Sequence, residues 1–498
     1  MADNQLPSPP TFSDSSTEKN TPNVTGSNFP PPEENRPIPP DYLAPEPIAA
    51  PNVQPSPFRF IVPIVAGLLV VGLIAFLGFK LFGNSQNKTT ATEEPTTITY
   101  WGLWENPSII KPVVEAFEKE NPDIKVNYEM QVSTDYQDRL QTTITSQKTP
   151  DIVRIHSTWL PLFYQNLLPA PANTVSTTEI ETNFYPAVKQ LIINNQIYGI
   201  PLTMESIALF VNTQMFEAAS LSTPKTWEDV QSAAKTLLIT DKLSGKITRA
   251  GIALGTTTNV DFWPDIISLM LLQGGANLLS PTASQLTGTL KYYTQFSKGI
   301  DAVWNNTLPS STLAFATEKV AMILAPSWKA VDIQTINPNL SWKTIPAPQL
   351  PDVEPVNWTS YWFEAVPKNS QHSQEAWRFL TYLSSAKAQQ LLFESASRER
   401  GFSQAPAHKS VASIAQQNPI SAPFVEALPT AQTFYTASLT HDSSTALNSR
   451  LIKYLEDAVN AYASNSNETN QVTDTLIKGF NQVLSQYRLV NPLPTIAK

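Results

Sequence analysis

The chain has 498 residues, a formal net charge of −9 and 0 cysteines. That length allows two or three hydrophobic cores, and the acidic balance argues against nucleic acid as a partner. Without cysteine there is no disulfide, no thiolate metal site, no cysteine nucleophile and no residue to carry a lipoprotein lipid.

Residues 1–57 are rich in Pro, Ser, Asn, Thr and acids, with few large apolar side chains. Such a stretch cannot bury enough surface to offset its chain entropy, so a disordered tail is expected there. The run from Phe60 to Phe82 is almost wholly apolar. As a helix rising ~1.5 Å per residue it would reach roughly 35 Å, enough for the hydrocarbon core of a bilayer. Pro63 falls in its first turn, where proline is tolerated, and Lys80 can snorkel to the interface. It has no polar stripe, unlike a globular helix, and it lies behind a long tail, unlike a cleaved signal. Residues 58–82 are therefore expected to form one retained transmembrane helix. Arg59 on one side and Lys80 and Lys88 on the other do not fix its orientation. Residues 83–96 are polar and read as a tether.

From residue 97 the periodicity changes. Thr97, Ile98, Thr99, Tyr100 and Trp101 read as a strand, and Gly102, Leu103, Trp104, Glu105, Asn106 and Pro107 as a loop opening a helix. Val113, Val114 and Phe117 recur at helical spacing until Asn121 and Pro122 end the helix. Pro112 is costly inside a helix, so the start is expected near it. Ile124, Val126, Tyr128 and Met130 alternate as a strand. Tyr136, Leu140 and Ile144 return to helical spacing, and residues 151–155 form another strand. This β-α-β-α-β alternation predicts a largely parallel sheet covered by helices. Ligands then sit outside the carboxyl ends of the strands, at loops 102–106 and 156–159.

Gly199 and Pro201 next punctuate the chain before the apolar run 207–211, with Glu205 at its front and a helix start near Asn212 or Thr213. Thr226, Trp227, Glu228 and Asp229 form a capping-box pattern. Asp261, Phe262 and Trp263 lead into an apolar helix that Gly274 and Gly275 stop. Ser373 opens a helix bearing Trp377, Leu380 and Leu383, and residues 449–487 carry apolar residues at helical spacing.

Read together, these stretches resemble the bacterial extracellular solute-binding proteins, family 1, the sugar-binding subunits of ABC importers. The resemblance runs through a strand ending in Trp101 and a helix ending Glu-Ala-Phe-Glu-Lys-Glu-Asn-Pro-Asp-Ile-Lys-Val. It continues through Thr-Pro-Asp-Ile-Val, the crossover at residues 198–216, the segment ending at Trp328, and the return strand 358–367. It covers about residues 97–487. The return strand has Thr359, Ser360, Tyr361 and Trp362 where the family commonly has paired glycines, a departure that bears on cleft shape and ligand size.

The resemblance implies a two-lobed α/β periplasmic-binding-protein-like fold (type II). The first lobe would hold 97–206 and the return segment 356–415; the second would hold 207–355 and the helices of 416–498. It also implies lobe closure around a mono- or oligosaccharide, delivery to ABC permease subunits, and an extracellular C-terminal part held to the lipid bilayer by residues 60–82.

Enzyme signatures are missing: there is no His-Glu-x-x-His, no Gly-x-Ser-x-Gly and no phosphate loop. The 4 histidines have no metal-ligand spacing. No catalytic residue, metal or cofactor is expected, so the chain reads as a binding protein and not an enzyme. Two other classes stand beside it: an anchored carbohydrate-active hydrolase, and a sensor or adhesion protein signalling through its tail.

Aromatics are the informative residues. Trp104, Trp159, Trp263, Trp328, Trp358 and Trp362 fall in loops, and sugar sites combine such faces with a few placed polar groups. Each is either a ligand platform or core; the family match favours Trp328. Trp227 and Trp377 lie on apolar helix faces and read as core. Glu205 is the leading polar candidate, or else a hinge residue bonded to backbone. Ser157 could bond sugar hydroxyls or cap a helix, and Arg400 could meet ligand or form a surface ion pair. Glu105 and Tyr361 complete the candidate site, while Asp151 is expected to secure a strand end.

Overall fold

The computed structural model describes residues 94–464 and 469–490, which lie in the folded unit Thr90–Lys498. The expected tail and transmembrane helix fall outside the described residues. Among those described, no helix is long and apolar enough to cross a membrane.

The first sheet grows from the predicted alternation. Strand β1 (Thr96–Gly102) pairs in parallel with β2 (Ile124–Met130) and β3 (Ile152–His156). Helices α1 (Pro107–Glu120) and α2 (Tyr136–Thr143) connect them. Ile109, Ile110, Val113 and Phe117 form the buried stripe of α1. That helix starts one turn earlier than expected and keeps Pro112 inside it. The ring sits close enough to the N-terminus that the bond it forfeits is to Ser108, an exposed residue of the first turn. Asp151 secures the start of β3, as its position suggested. Its carboxylate accepts from Thr99 N at 2.9 Å and Ser370 Oγ at 2.6 Å.

Strand β4 (Thr203–Asn212) then leaves this lobe for the other. Met204 belongs to the first core and Ile207 to the second, so the change of core falls across Glu205 and Ser206. The second lobe adds α3 (Trp227–Leu237), β5 (Ile247–Ile252), α4 (Trp263–Gln273) and β6 (Val320–Pro326). The capping box forms: Asp229 N donates to Thr226 Oγ1 at 3.1 Å, and Thr226 N to the Asp229 carboxylate at 3.0 Å. β6 pairs antiparallel with β4 and parallel with β5. Every residue of α4 from Trp263 to Leu272 is buried, which its unbroken apolar run required.

β7 (Asn357–Ser360) and β8 (Trp362–Pro367) bring the chain back. Trp358 packs in the second core and Tyr361 in the first, so the return falls at Ser360, a few residues after the expected boundary at Val356. The two crossings lie side by side, with Ser360 paired to Glu205 in antiparallel register and Thr359 Oγ1 donating to Glu205 O at 2.7 Å. Helices α5 (Ser373–Leu383) and α6 (Ala386–Arg400) cover the first sheet, and Trp377 is buried there as expected. The C-terminal α7 (Leu447–Ala463) and α8 (Thr469–Gln486) contribute Leu451, Leu455, Val459, Leu476 and Phe480 to the second core.

Candidate functional site

A cleft opens where both crossings pass from one core to the other. It encloses about 580 Å³, part of it open to solvent. One wall comes from the first lobe: His156 at the end of β3, with Tyr361 and Trp362 opening β8. The facing wall comes from the second lobe: Phe262 and Asp265 at the start of α4, Pro326 ending β6, Trp328 just after it, and Trp358 on β7. The floor is the crossing itself, Thr203, Glu205, Ser206 and Ser360, with Gln404 and Ser438 at its edges. This is the geometry expected of open sheets, with a ligand beyond the carboxyl ends of the strands.

Glu205 points into this space from the floor. Ser327 donates to its carboxylate through the backbone N–H at 3.3 Å and through Oγ at 3.1 Å. Burial pushes the carboxyl up to about 7, against the pull of hydrogen bonds from Gln404 and Ser327. Asp265 accepts from Trp358 Nε1 at 2.8 Å and from Ser438 N at 3.0 Å, and burial pushes it up to about 6. His156 is the reverse case. Burial, aided by His441, drives its imidazole down to about 3, so it is neutral, with Nδ1 2.8 Å from Thr158 Oγ1. Ser438 Oγ has no hydrogen-bond partner and borders the cleft.

The aromatic walls are ordered by their own contacts. Trp328 meets Phe262 edge to face at 5.6 Å, and Lys329 Nζ lies 4.6 Å from its ring centroid. Trp362 packs edge to face against His156 at 4.9 Å, Trp159 at 5.1 Å and Trp104 at 6.0 Å.

Of the residues chosen from sequence, Glu205, Trp328, Trp358, Tyr361 and Trp362 line the cleft, Trp358 and Tyr361 while buried in the two cores. The others do not. Glu105 is buried in an ion pair with Arg154, so its carboxylate is committed to the first lobe. Arg400 donates to Trp104 O at 2.8 Å. Both therefore support the turn carrying Trp104, whose φ of 60° is strained for a non-glycine residue. Gly102 makes that turn possible, because a Cβ there would lie 2.3 Å from the Tyr128 ring. Trp104 itself is half-exposed behind Trp362 and touches His441, 5.3 Å between rings.

Ser157 staples the strand end to the return crossing, its N–H donating to Tyr361 O at 2.9 Å. Trp159 and Trp263 are core residues, buried in the first and second lobes respectively. A loop tryptophan beside a strand end can turn inward as readily as outward, and its sequence position does not say which.

Sequence reasoning placed ligand at the loop that His156 opens but missed Phe262, Asp265, Gln404 and Ser438. Asp265 did leave a signal: it is the only charge in an otherwise apolar helix. Gln404 and Ser438 left none, since each reaches the cleft from a loop.

The lobes also meet outside the cleft. Ser443 N, from the segment before α7, donates to buried Gln137 Oε1 of α2 at 2.9 Å. With the Trp104–His441 contact, this bridges the two halves beside the cleft mouth.

The fold and the chain agree with known proteins. Multiple sugar-binding protein of Streptococcus mutans is 23% identical, over 66% of this chain and 80% of its own length. Melibiose/raffinose/stachyose-binding protein MelE of Bacillus subtilis is also 23% identical, over 60% of this chain and 73% of its own. The crystal structure of the cyclic α-maltosyl-1,6-maltose binding protein of Arthrobacter globiformis superposes with a TM-score of 0.64. That match spans 79% of this chain and 100% of the other at 18% identity. Residues 102–390, more than half of the chain, match one family model, and they contain the first lobe's opening, both crossings and most of the cleft. The chain belongs to the bacterial extracellular solute-binding proteins.

Proposed function

We propose that the protein captures a sugar between its lobes, releases it unchanged, and hands it to the membrane subunits of an ABC importer. The observation that carries this reading is the cleft lining. The partly exposed rings of Trp328 and Trp362 offer apolar, polarisable surface, and Glu205, Asp265 and Ser438 offer acceptors and a donor for hydroxyls. The relatives named for binding sugars support the same class. Capture needs only that the closed arrangement bind the sugar better than the open one.

Calorimetric titration of the full-length protein with neutral oligosaccharides tests this. Binding is expected, and Trp328→Ala is expected to weaken it at least ~10-fold through lost stacking and burial. Unchanged affinity in that variant would remove Trp328 from the site.

Anchoring through residues 60–82 is the second part of the proposal and rests on the length and apolarity of that run. The full-length protein is expected to sediment with membranes after an alkaline carbonate wash. Deletion of 58–82 is expected to move it to the supernatant. Equal extraction of both forms would rule the anchor out.

A further inference from the structure

The charge of the cleft narrows the ligand class, and this step rests on the sugar-capture reading above. Two carboxyls line the cleft, Glu205 and Asp265, and no Lys or Arg is among its described lining residues. The donors that meet them are neutral: Ser327 on Glu205, and Trp358 Nε1 and Ser438 N on Asp265. The other groups nearby add no free positive charge. Burial keeps His156 neutral near pH 7, and His441 is lowered as well. Lys329, next to Trp328, bonds Asp332 at 2.8 Å, and Arg400 is turned to the Trp104 carbonyl.

The first lobe treats its buried acids differently. Glu105 and Glu364 both bond Arg154, so a guanidinium accompanies them into the core. A carboxylate held out of water without a counter-charge is costly, which is why buried acids elsewhere are paired. The cleft keeps two acids without a counter-charge beside Trp362, whose ring quadrupole attracts cations, while Lys329 Nζ already lies 4.6 Å from the Trp328 ring centroid and 5.8 Å from that of Phe262. We infer that the cleft selects a sugar bearing a protonated amino group, with Glu205 and Asp265 as its counter-charges and the tryptophans as the surface on which its ring rests. An anionic sugar would meet two like charges. A neutral sugar would leave at least one acid uncompensated or protonated.

Binding of such a ligand should also move protons. Glu205, raised by burial, carries a proton in part of the free protein near neutrality, and an ammonium placed beside it favours the carboxylate. The proton then leaves to solvent.

The test uses the full-length protein and four sugars of equal length: a glucosamine oligomer, its N-acetylated counterpart, a neutral glucose oligomer and a uronic acid oligomer. At about pH 7 the glucosamine oligomer is expected to bind at least ~10-fold tighter than the other three, as charge-assisted bonds in an enclosed site imply. Titrations in buffers of different ionisation heat should register proton release for that ligand alone. In Glu205→Gln the preference is expected to fall to within about threefold of unity and the proton release to disappear. Asp265→Asn should reduce the preference as well; if that variant has no cooperative melt, Glu205→Gln decides alone. Equal or tighter binding of the neutral or N-acetylated oligomer by the native chain would overturn this inference and leave sugar capture standing. Binding of none of the four would overturn both.

Discussion

Replacing Arg154 by leucine is expected to destabilise the full-length protein by about 3–5 kcal/mol in urea unfolding, the cost typical of stranding a buried charge. The guanidinium lies wholly inside the first lobe, on the middle of three adjacent strands. It bonds Glu105 in the turn after β1, Glu364 on β8 through Nε at 2.7 Å, and Leu103 O at 3.0 Å. Tyr100 on β1 donates to the same Glu364 oxygen at 2.6 Å. Burial opposes the charge on Arg154, but Glu105 and Glu364 outweigh it and hold the guanidinium charged. Burial pushes the Glu364 carboxyl up while Arg154 pulls it down, and its second oxygen has no hydrogen-bond partner.

Removing the arginine therefore leaves two acids with no cation in a dry interior. The triple variant Arg154→Leu, Glu105→Gln, Glu364→Gln should recover most of the loss, because neutral amides need no counter-charge. A single variant as stable as the native chain would mean the cluster is solvated in solution. The same change should loosen the Trp104 turn, since Arg154 holds both Leu103 O and the Glu105 side chain.

The Glu205 carboxyl is expected to lower the stability of the unliganded protein as pH rises from about 4.5 to about 7, against the opposite trend of the buried neutral His156, so that stability rises more with pH in Glu205→Gln than in the native chain. Glu205 is raised from 4.5 to about 7 by burial, so inside this window the folded chain holds a proton that the unfolded chain has released. Stability rises with pH only where the unfolded state binds more protons, and here it binds fewer. The penalty grows across the window and is complete above it, amounting to at most about 3 kcal/mol for this group. Asp265, raised from 3.8 to about 6, adds a drop of the same sign at somewhat lower pH. Thermal melts of the native chain and Glu205→Gln across the window measure the difference. Parallel curves would show that the Glu205 carboxyl is solvated in the free protein. A cationic ligand reverses the sense of the linkage, since it stabilises the ionised carboxylate that the empty cleft disfavours.

The strand and helix alternation of the first lobe, the capping box at Thr226, the glycine stop after α4 and the apolar stripes of the C-terminal helices were all legible in the sequence. Each is set by neighbours within a few residues, through side-chain period, local hydrogen bonds or backbone freedom. The crossing at Glu205 was legible for the same reason: a turn, one acid and an apolar run stand in order along the chain.

What the sequence could not assign is which way a given polar or aromatic residue turns. Glu105 and Glu205 both stand at the edge of a predicted strand or loop. One meets an arginine 49 residues away and becomes core; the other meets only Ser327 and Gln404 and faces the cleft. Trp358 gives its indole N–H to Asp265 across 93 residues, which fixes both side chains at once. The pairing of Glu364 with Arg154 spans 210 residues. Local pattern determined the elements and the family likeness of the two lobes. The chemistry of the cleft was decided only by tertiary structure, because a buried charge takes its role from whichever partner the fold brings to it.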